Sequence, residues 1–311
     1  MDMKRLVTLV ILTCNMLFAN AQKCDLPIGV AFSTDSQSIP ETAQRIITNK
    51  LKQALATNNV SGNTAFHQFA LVPKFEVINK NIVGGAPVRI VYNLNLTLQI
   101  VDSSTEAVFS SYSKDIDAVG ENETKAYISA ANTISPKAKD ILDFIETAQV
   151  KIVQYYDRTS DNLIQKAKTL AKMSKYEEAL FYIMQIPECC NSYEKAVSAA
   201  LPIYQKYIDV EGEKLVFKAN AIWSAGHNDQ AAAEAASLLI EVEPASKAYS
   251  QAKALLNEIK AKAAENAPWN YALRFYDDKV SIERQKIEAA KAVGVAFGQG
   301  QQPSTTNLLF K

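Results

Sequence analysis

The sequence predicts a small α/β domain with a mixed sheet, followed by an all-α array of helical hairpins. Residues 88–101 alternate between apolar and polar side chains, and this alternation is typical of a strand in a half-buried sheet. Beyond Asp161 the strand signals disappear and apolar residues recur at helical spacing. Part of this helical pattern repeats after 52 residues, which favours stacked helical units.

An export leader is predicted over residues 1–21. Lys4 and Arg5 precede a mostly apolar stretch that ends at Phe18, and Ala19-Asn20-Ala21 supplies the small residues that a signal peptidase requires. The apolar stretch is shorter than the roughly 20 residues of a membrane-spanning helix. No later window is long and apolar enough either, so we expect no transmembrane segment in the mature chain.

Three cysteines remain after the predicted cleavage, namely Cys24, Cys189 and Cys190. An odd number in an exported protein leaves at least one thiol unpaired or bonded to another molecule. Cys189 and Cys190 form either a vicinal disulfide or, as the favoured interpretation, two buried thiols in a turn between helices. No C-x-x-C pair accompanies them, so no metal site is predicted. Neither Cys24 nor Cys14 directly follows a small residue as a lipid-accepting cysteine does.

The α/β domain is predicted over residues 22–157. It opens with a short strand, a helix after Pro40 and a second extended segment, and a glycine-rich turn precedes the long alternating strand. A hairpin then returns the chain, and two helices follow. The predicted elements are strands at Ile28–Phe32, Phe69–Ile78, Val88–Val101 and Ala107–Asp117, and helices from Pro40, at Glu123–Ser135 and at Lys137–Tyr156.

Several features of this domain occur in a characteristic order. They are the run Tyr92–Asp102, the hairpin with Thr105 and Glu106, the strand with Phe109, then Gly120 and a helix with Ala126, Ala130 and Ala131. Over about residues 26–145 the pattern resembles the α/β domain shared by the curli-secretion lipoprotein, the lipoprotein activators of penicillin-binding proteins and the amino-terminal part of the Tol-system translocation protein. The resemblance implies a non-enzymatic envelope protein that assembles with other proteins.

A helical repeat is predicted over residues 158–267. Leu163, Ala167, Tyr176 and Ala179 align with Leu215, Ala219, Asn228 and Ala231 at a shift of 52 residues. Each copy resembles a tetratricopeptide hairpin, in which small residues on the first helix allow the second to pack closely and a proline follows. The shift exceeds the usual 34 residues, so the copies are tetratricopeptide-like. A third helix is predicted after each copy, near Ser192–Tyr207 and near Ser246–Glu265.

The resemblance implies a concave surface that binds a peptide or protein. Four aromatic residues are candidate contacts for such a partner, because aromatic side chains dominate binding hot spots: Trp223, Trp269, Tyr204 and Tyr207. The alternative, that they fill spaces between helices, is favoured for each. A long charged helix over residues 268–297 is expected to cap the array, with self-association as a homo-oligomer left open, and residues 298–311 are expected to form a flexible tail.

The sequence offers little catalytic chemistry. His67 and His227 are the only histidines and fall in different predicted domains, and no nucleotide, zinc, calcium or serine-hydrolase motif occurs. We therefore expect no enzyme and no cofactor. The formal net charge is zero and no basic run occurs, which argues against nucleic-acid binding.

The predicted function is that of a bacterial envelope scaffold or assembly factor, periplasmic or associated with the outer membrane, whose partners are other envelope proteins. Two alternatives are a cell-envelope hydrolase that uses distant carboxylates and a subunit of an outer-membrane secretion system. A secretion channel would need a second alternating hairpin for membrane insertion, and the chain shows one alternating strand.

Overall fold

The computed structural model divides the chain between Tyr155 and Tyr156 into two compact units, a sheet unit and a helical unit. The predicted leader, Cys24, Trp269, most of the predicted charged helix and the predicted tail lie outside the residues that the structure describes. The described residues are 26–33, 39–60, 68–262 and 286–297 without residue 288.

The sheet unit contains a mixed sheet of four strands in the order β1-β2-β3-β4. β1 runs parallel to β2, and the other neighbouring pairs are antiparallel. The fold class predicted from the sequence, a small mixed sheet followed by a helical region, is therefore confirmed. The strands are β1 (Ile28–Val30), β2 (Phe69–Val83), β3 (Arg89–Asp102) and β4 (Val108–Gly120), and the helices of this part are α1 (Glu41–Thr57) and α2 (Glu123–Thr133).

One face of the sheet is dry. The alternating apolar residues of β3 are at most 4% exposed: Tyr92, Leu94, Leu96, Leu98 and Ile100. Tyr127 of α2 lies on this face, with its ring centroid 5.4 Å from that of Tyr92 and 6.4 Å from that of Phe75. Burying one such large apolar side chain contributes about 1.5–3 kcal/mol, so this face provides the core of the unit.

The third helix, α3 (Lys139–Lys172), does not end near Tyr156 as the sequence predicts. Buried side chains continue along one side of the helix through the predicted break, because residues four apart lie on the same helix face. They are Ile152, Tyr156, Ser160 and Ile164, each at most 2% exposed. Continuous burial therefore favours one helix where local sequence signals suggested two.

The helical unit also contains α4 (Tyr176–Met184), α5 (Tyr193–Gly226), α6 (Asp229–Leu239), α7 (Tyr249–Lys262) and a carboxy-terminal helix α8, described at residues 286–287 and 289–297. The helix predicted near Ser192–Tyr207 is therefore too short, since α5 continues through Pro202 to Gly226. α5 serves both as the last helix of the first repeat copy and as the first helix of the second.

The two hairpin turns of the repeat share a backbone feature. Ser174 follows α3 with φ of 62°, and His227 follows α5 with φ of 45°. The chain therefore reverses through a left-handed residue at both turns. The small residues that the repeat aligns are fully buried at Ala167 and Ala219. Their burial allows close packing along the first helix of each copy.

Two aspartates anchor the repeat copies and extend the alignment. Asp157 and Asp209 lie 52 residues apart, and each carboxylate binds the loop that follows the second helix of its hairpin. Asp157 Oδ2 accepts a hydrogen bond from Asn191 Nδ2 at 3.0 Å, and Oδ1 accepts from the Ser192 backbone N–H at 3.4 Å. Asp209 Oδ1 accepts from the Lys247 backbone N–H at 2.9 Å. The sequence reasoning missed this pair, although both occur at the shift it identified.

The same shift relates two small residues on the same helices. Ser160 is 2% exposed, and its equivalent in the second copy is Gly212, which is also buried. A Cβ added at Gly212 would lie 2.5 Å from Ser246 Oγ and 3.2 Å from Ala248 Cβ. The loop after α6 thus approaches α5 so closely that a side chain at position 212 would displace it.

We predict that Asp209→Asn lowers the free energy of unfolding at pH 7 by about 1–3 kcal/mol and weakens its dependence on acid. Burial alone would raise the pKa of Asp209, but hydrogen bonds from the Lys247 backbone and the Gln205 amide, with the Lys247 ammonium, together lower it. A lowered folded-state pKa stabilises the protein above the unfolded value of about 3.9, and this stabilisation is lost as the pH falls through the folded value.

Urea unfolding between pH 2 and pH 7 measures both effects. Glu213→Gln, at an exposed position of the same helix, is the matched control and should follow the wild-type curve. Identical pH curves for wild type and Asp209→Asn would contradict the anchoring role.

Candidate interaction surfaces

The end of the sheet around the β2–β3 turn exposes large apolar side chains. Ile78 and Ile82 are 61% and 68% exposed, and Val83, Val88 and Val119 are each about half exposed. We call these five residues the apolar end. Single exposed apolar residues are common, whereas grouped ones mark interaction sites.

The strands extend beyond the helix that covers them. Tyr127 reaches Tyr92, but the pairing of β2 with β3 continues to the Val83–Arg89 pair. Paired residues share a face of the sheet, so Ile82 lies beside Ile90 on the dry face, and Val119 lies beside Val91 on the opposite face. Arg89 is the only charged residue between positions 81 and 91. The apolar end is therefore bare on both faces.

The middle of the opposite face is polar and internally bonded. Asn95 Nδ2 donates to Asp115 Oδ1 at 2.7 Å, and Ser113 Oγ donates to Asn95 Oδ1 at 2.9 Å. Asn93 likewise donates to Asp117. These side chains form a ladder across β3 and β4 in which carboxylates and amides satisfy one another.

The structure changes the interpretation of the candidate aromatic residues. Trp223 and Tyr204 are 3% and 4% exposed, so in this structure both side chains lie in the interior of the helical unit. Tyr207 is half-buried, and burial together with the nearby carboxylates of Glu177 and Glu211 raises its pKa to about 12. Trp269 lies outside the described residues.

Trp223 is deeply buried, and its indole N–H is poorly placed for hydrogen bonding. Its Nε1 has no hydrogen-bond partner of normal geometry. The pKa of the Glu258 carboxyl is nevertheless lowered, mainly by Lys262 and then by the indole N–H of Trp223. The indole therefore contributes mainly through packing between α5 and its neighbours.

The sequence reasoning missed an exposed aromatic residue on α5. Phe217 is 77% exposed, although it follows the partly buried Leu215 and Val216. The repeat contains a signal for this exposure, because the equivalent residue of the first copy is the exposed Gln165. Phe217 is therefore a surface position of the repeat that carries an apolar side chain.

The cysteine pair does not form a vicinal disulfide. Cys189 is disulfide-bonded and Cys190 carries a buried thiol, so the favoured interpretation of two buried thiols is wrong for Cys189. Burial, assisted by the negative charge of Asp157, raises the pKa of Cys190 to about 12. At neutral pH this thiol is protonated and therefore a poor nucleophile.

Neither a metal site nor a membrane-spanning helix occurs in the part of the chain that the structure describes. Within the ranges given above, no group of three or more histidine, cysteine, aspartate and glutamate side chains is placed to hold a metal ion. Among the helices of the same ranges, none is both long and apolar enough to cross a bilayer.

Comparisons with known proteins show limited likeness. No model of a known protein family matches the chain, and no curated protein matches it. One solved structure, described as a "putative lipoprotein" from Caulobacter crescentus CB15, is 12% identical with a TM-score of 0.23, over 40% of this chain and 88% of that one. Neither fold nor function transfers at this level. The two resemblances found in the sequence stay predictions.

We predict that Cys190 resists alkylation by iodoacetamide at pH 8.5 in the folded protein and reacts fully in guanidinium. The raised pKa and the burial both suppress the thiolate, and unfolding removes both effects. Peptide mapping by mass spectrometry identifies the modified residue. Rapid labelling of Cys190 without denaturant would contradict the prediction.

We predict that Trp223→Ala lowers the free energy of unfolding by about 3–5 kcal/mol, because it removes a large buried ring. Phe217→Ala on the same helix is the matched control and should change this energy by less than about 0.5 kcal/mol. Urea unfolding measures both. Equal losses would contradict the burial assignment.

Proposed function

We propose that the protein is an exported, non-catalytic scaffold or assembly factor of the cell envelope that acts by binding other envelope proteins. The apolar end is the observation that carries the proposal. Five large apolar side chains face solvent on both sides of the hairpin, with charged residues such as Lys80 and Glu121 at their edge, and such a group is unfavourable in water unless another surface covers it. The sheet unit would bind one partner through this end.

Export is supported by two independent features. The leader pattern of residues 1–21 is the first, and the disulfide bond of Cys189 is the second. Disulfides persist in oxidising compartments such as the bacterial periplasm and are rare in the cytosol. The proposed location is therefore the periplasm or the periplasmic side of the outer membrane.

The helical unit would supply a second binding surface. Its repeated aspartate anchors and its small residues at equivalent positions suit a stack of tetratricopeptide-like hairpins, and such stacks present extended surfaces. Phe217 offers an apolar contact there. Two binding surfaces on one chain are what a scaffold requires.

The directions of the carboxyl pKa shifts favour a scaffold over the hydrolase alternative. Every carboxyl in the described part of the chain whose pKa is shifted is shifted downward, by a lysine, a tyrosine or a backbone donor: Glu121, Glu123, Asp140, Asp209 and Glu258. A general acid of a glycosidase needs the opposite shift. These groups serve ion pairs and anchors.

Site-specific photocrosslinking in intact cells tests the proposal. A photoreactive residue at Ile82 should capture a discrete envelope protein, whereas the same residue at Lys52, an exposed position on α1, should not. Because charge in a dry interface is costly, adding Val119→Asp to the chain that carries the photoreactive residue at Ile82 should abolish the capture.

Val119→Asp is at a half-exposed strand position, so the free energy of unfolding should fall by about 1 kcal/mol, which leaves the protein folded. Equal capture from Ile82 and Lys52, or no capture from either, would refute the scaffold proposal. Turnover of a peptidoglycan substrate by the purified chain would favour the hydrolase alternative instead.

A further inference from the structure

The outer edge of β2, on the side away from β3, is largely unpaired. β1 pairs with this side of β2 only from Phe69 to Leu71. Among the described residues, no strand pairs with the same side from Pro73 to Val83. The backbone N–H and C=O groups of an unpaired edge can pair with a further strand. The part of this edge nearest the β2–β3 turn belongs to the apolar end.

Two residues at the apolar end direct their backbone groups outward. The carbonyl oxygen of Leu71 accepts a hydrogen bond from the Ala31 backbone N–H on the β1 side, so Leu71 faces away from β3. In an antiparallel pair, opposite residues either face each other or both face away, and the two arrangements alternate along the strands. Lys80 and Ile82 are opposite β3 residues that stand an even number of positions from the one opposite Leu71. They therefore also face outward.

The first half of this edge is protected against strand pairing. Pro73 has no backbone N–H to donate, and Lys74 places an exposed charge beside it. The register with β3 then shifts between Val77 and Asn79, as at a β-bulge. Proline, lysine and bulges are the features that keep the edges of natural sheets from pairing. Strand pairing is therefore discouraged before residue 79.

The second half of the edge, residues 79–83, lacks this protection. It contains no proline, and its one charged residue, Lys80, directs its ammonium to Glu123 and the ring of Tyr92. The outer edge of β4 differs, because exposed charges occupy its middle, at Lys114, Asp115 and Asp117. The unprotected edge of the sheet thus coincides with its exposed apolar side chains.

We propose that the partner of the apolar end contributes an extended, uncharged segment that pairs with β2 along residues 79–83. This inference rests on the proposed scaffold function and specifies how its partner binds. Such a segment would satisfy the outward N–H and C=O groups of Lys80 and Ile82, as in complexes formed by strand addition. Since side chains of a strand alternate between faces, its apolar residues would lie beside Ile82 on the dry face and beside Val83 on the opposite face.

An extended segment fits this edge better than a helix or a lipid surface does. The backbone groups of a helix pair within the helix, so a docked helix would bury side chains without satisfying the edge of β2. A bilayer offers the edge no hydrogen-bonding partner, and open sheet edges are unfavourable in hydrocarbon. A strand with apolar side chains on both faces satisfies the backbone and covers the apolar end together.

Photocrosslinking from a photoreactive residue at Val83 in intact cells tests the inference. Lys80→Pro removes one outward N–H and should reduce capture of the envelope partner at least tenfold. Lys80→Ala loses the same side chain but keeps the N–H, so it should capture at least tenfold more than Lys80→Pro. Val77→Pro is the matched control, since it removes an outward N–H from the protected half and should capture as wild type does. Equal capture by Lys80→Pro and Lys80→Ala would overturn the inference.

Hydrogen exchange provides a second measurement that needs no proline. In the crosslinked complex, the amides of Lys80 and Ile82 should exchange at least tenfold more slowly than in the free protein, whereas the amide of Val77 should not change. Unchanged exchange at Lys80 and Ile82 would overturn the inference, and this result decides if circular dichroism shows Lys80→Pro to be unfolded. Capture from Ile82 does not require strand pairing, so the scaffold proposal can stand while this inference fails.

Discussion

A carboxylate on the first helix of each copy that holds the loop before the third helix is the interaction on which the helical unit depends. Asp157 and Asp209 stand at equivalent points of the repeat, and each binds the loop from which the third helix of its copy begins. The small residue three positions later lets that loop come close, and Gly212 shows how little space remains. Hydrogen bonding and close packing therefore act on the same loop.

In the sheet unit, the strands are longer than the helix α2 that packs on them. A strand of 14 residues such as β3 spans about 46 Å, whereas a helix of 11 residues such as α2 spans about 16 Å. α2 covers the dry face near Tyr92 and the first half of α3 covers it near Tyr112, and the strands continue past both as a paired hairpin. The apolar end is the part of the sheet that the chain's own described helices do not cover.

The sequence predicted the sheet because its signal is local: the alternation of β3 depends only on which side chains point inward. The lengths of α3 and α5 could not be predicted, since burial at Ser160 and packing beyond Pro202 depend on distant residues. The same limit affected the surface sites. Trp223 and Phe217 lie on one helix with similar apolar neighbours, and only tertiary packing decides that the first is buried and the second exposed.

The shared helix α5 has a consequence for the architecture of the repeat. Because its first half completes one copy and its second half begins the next, no cut between the copies leaves both intact. The two hairpins are thus expected to melt in a single step, and natural variation in length should insert or delete whole 52-residue modules. A local opening in one copy would consequently weaken the other through the helix that they share.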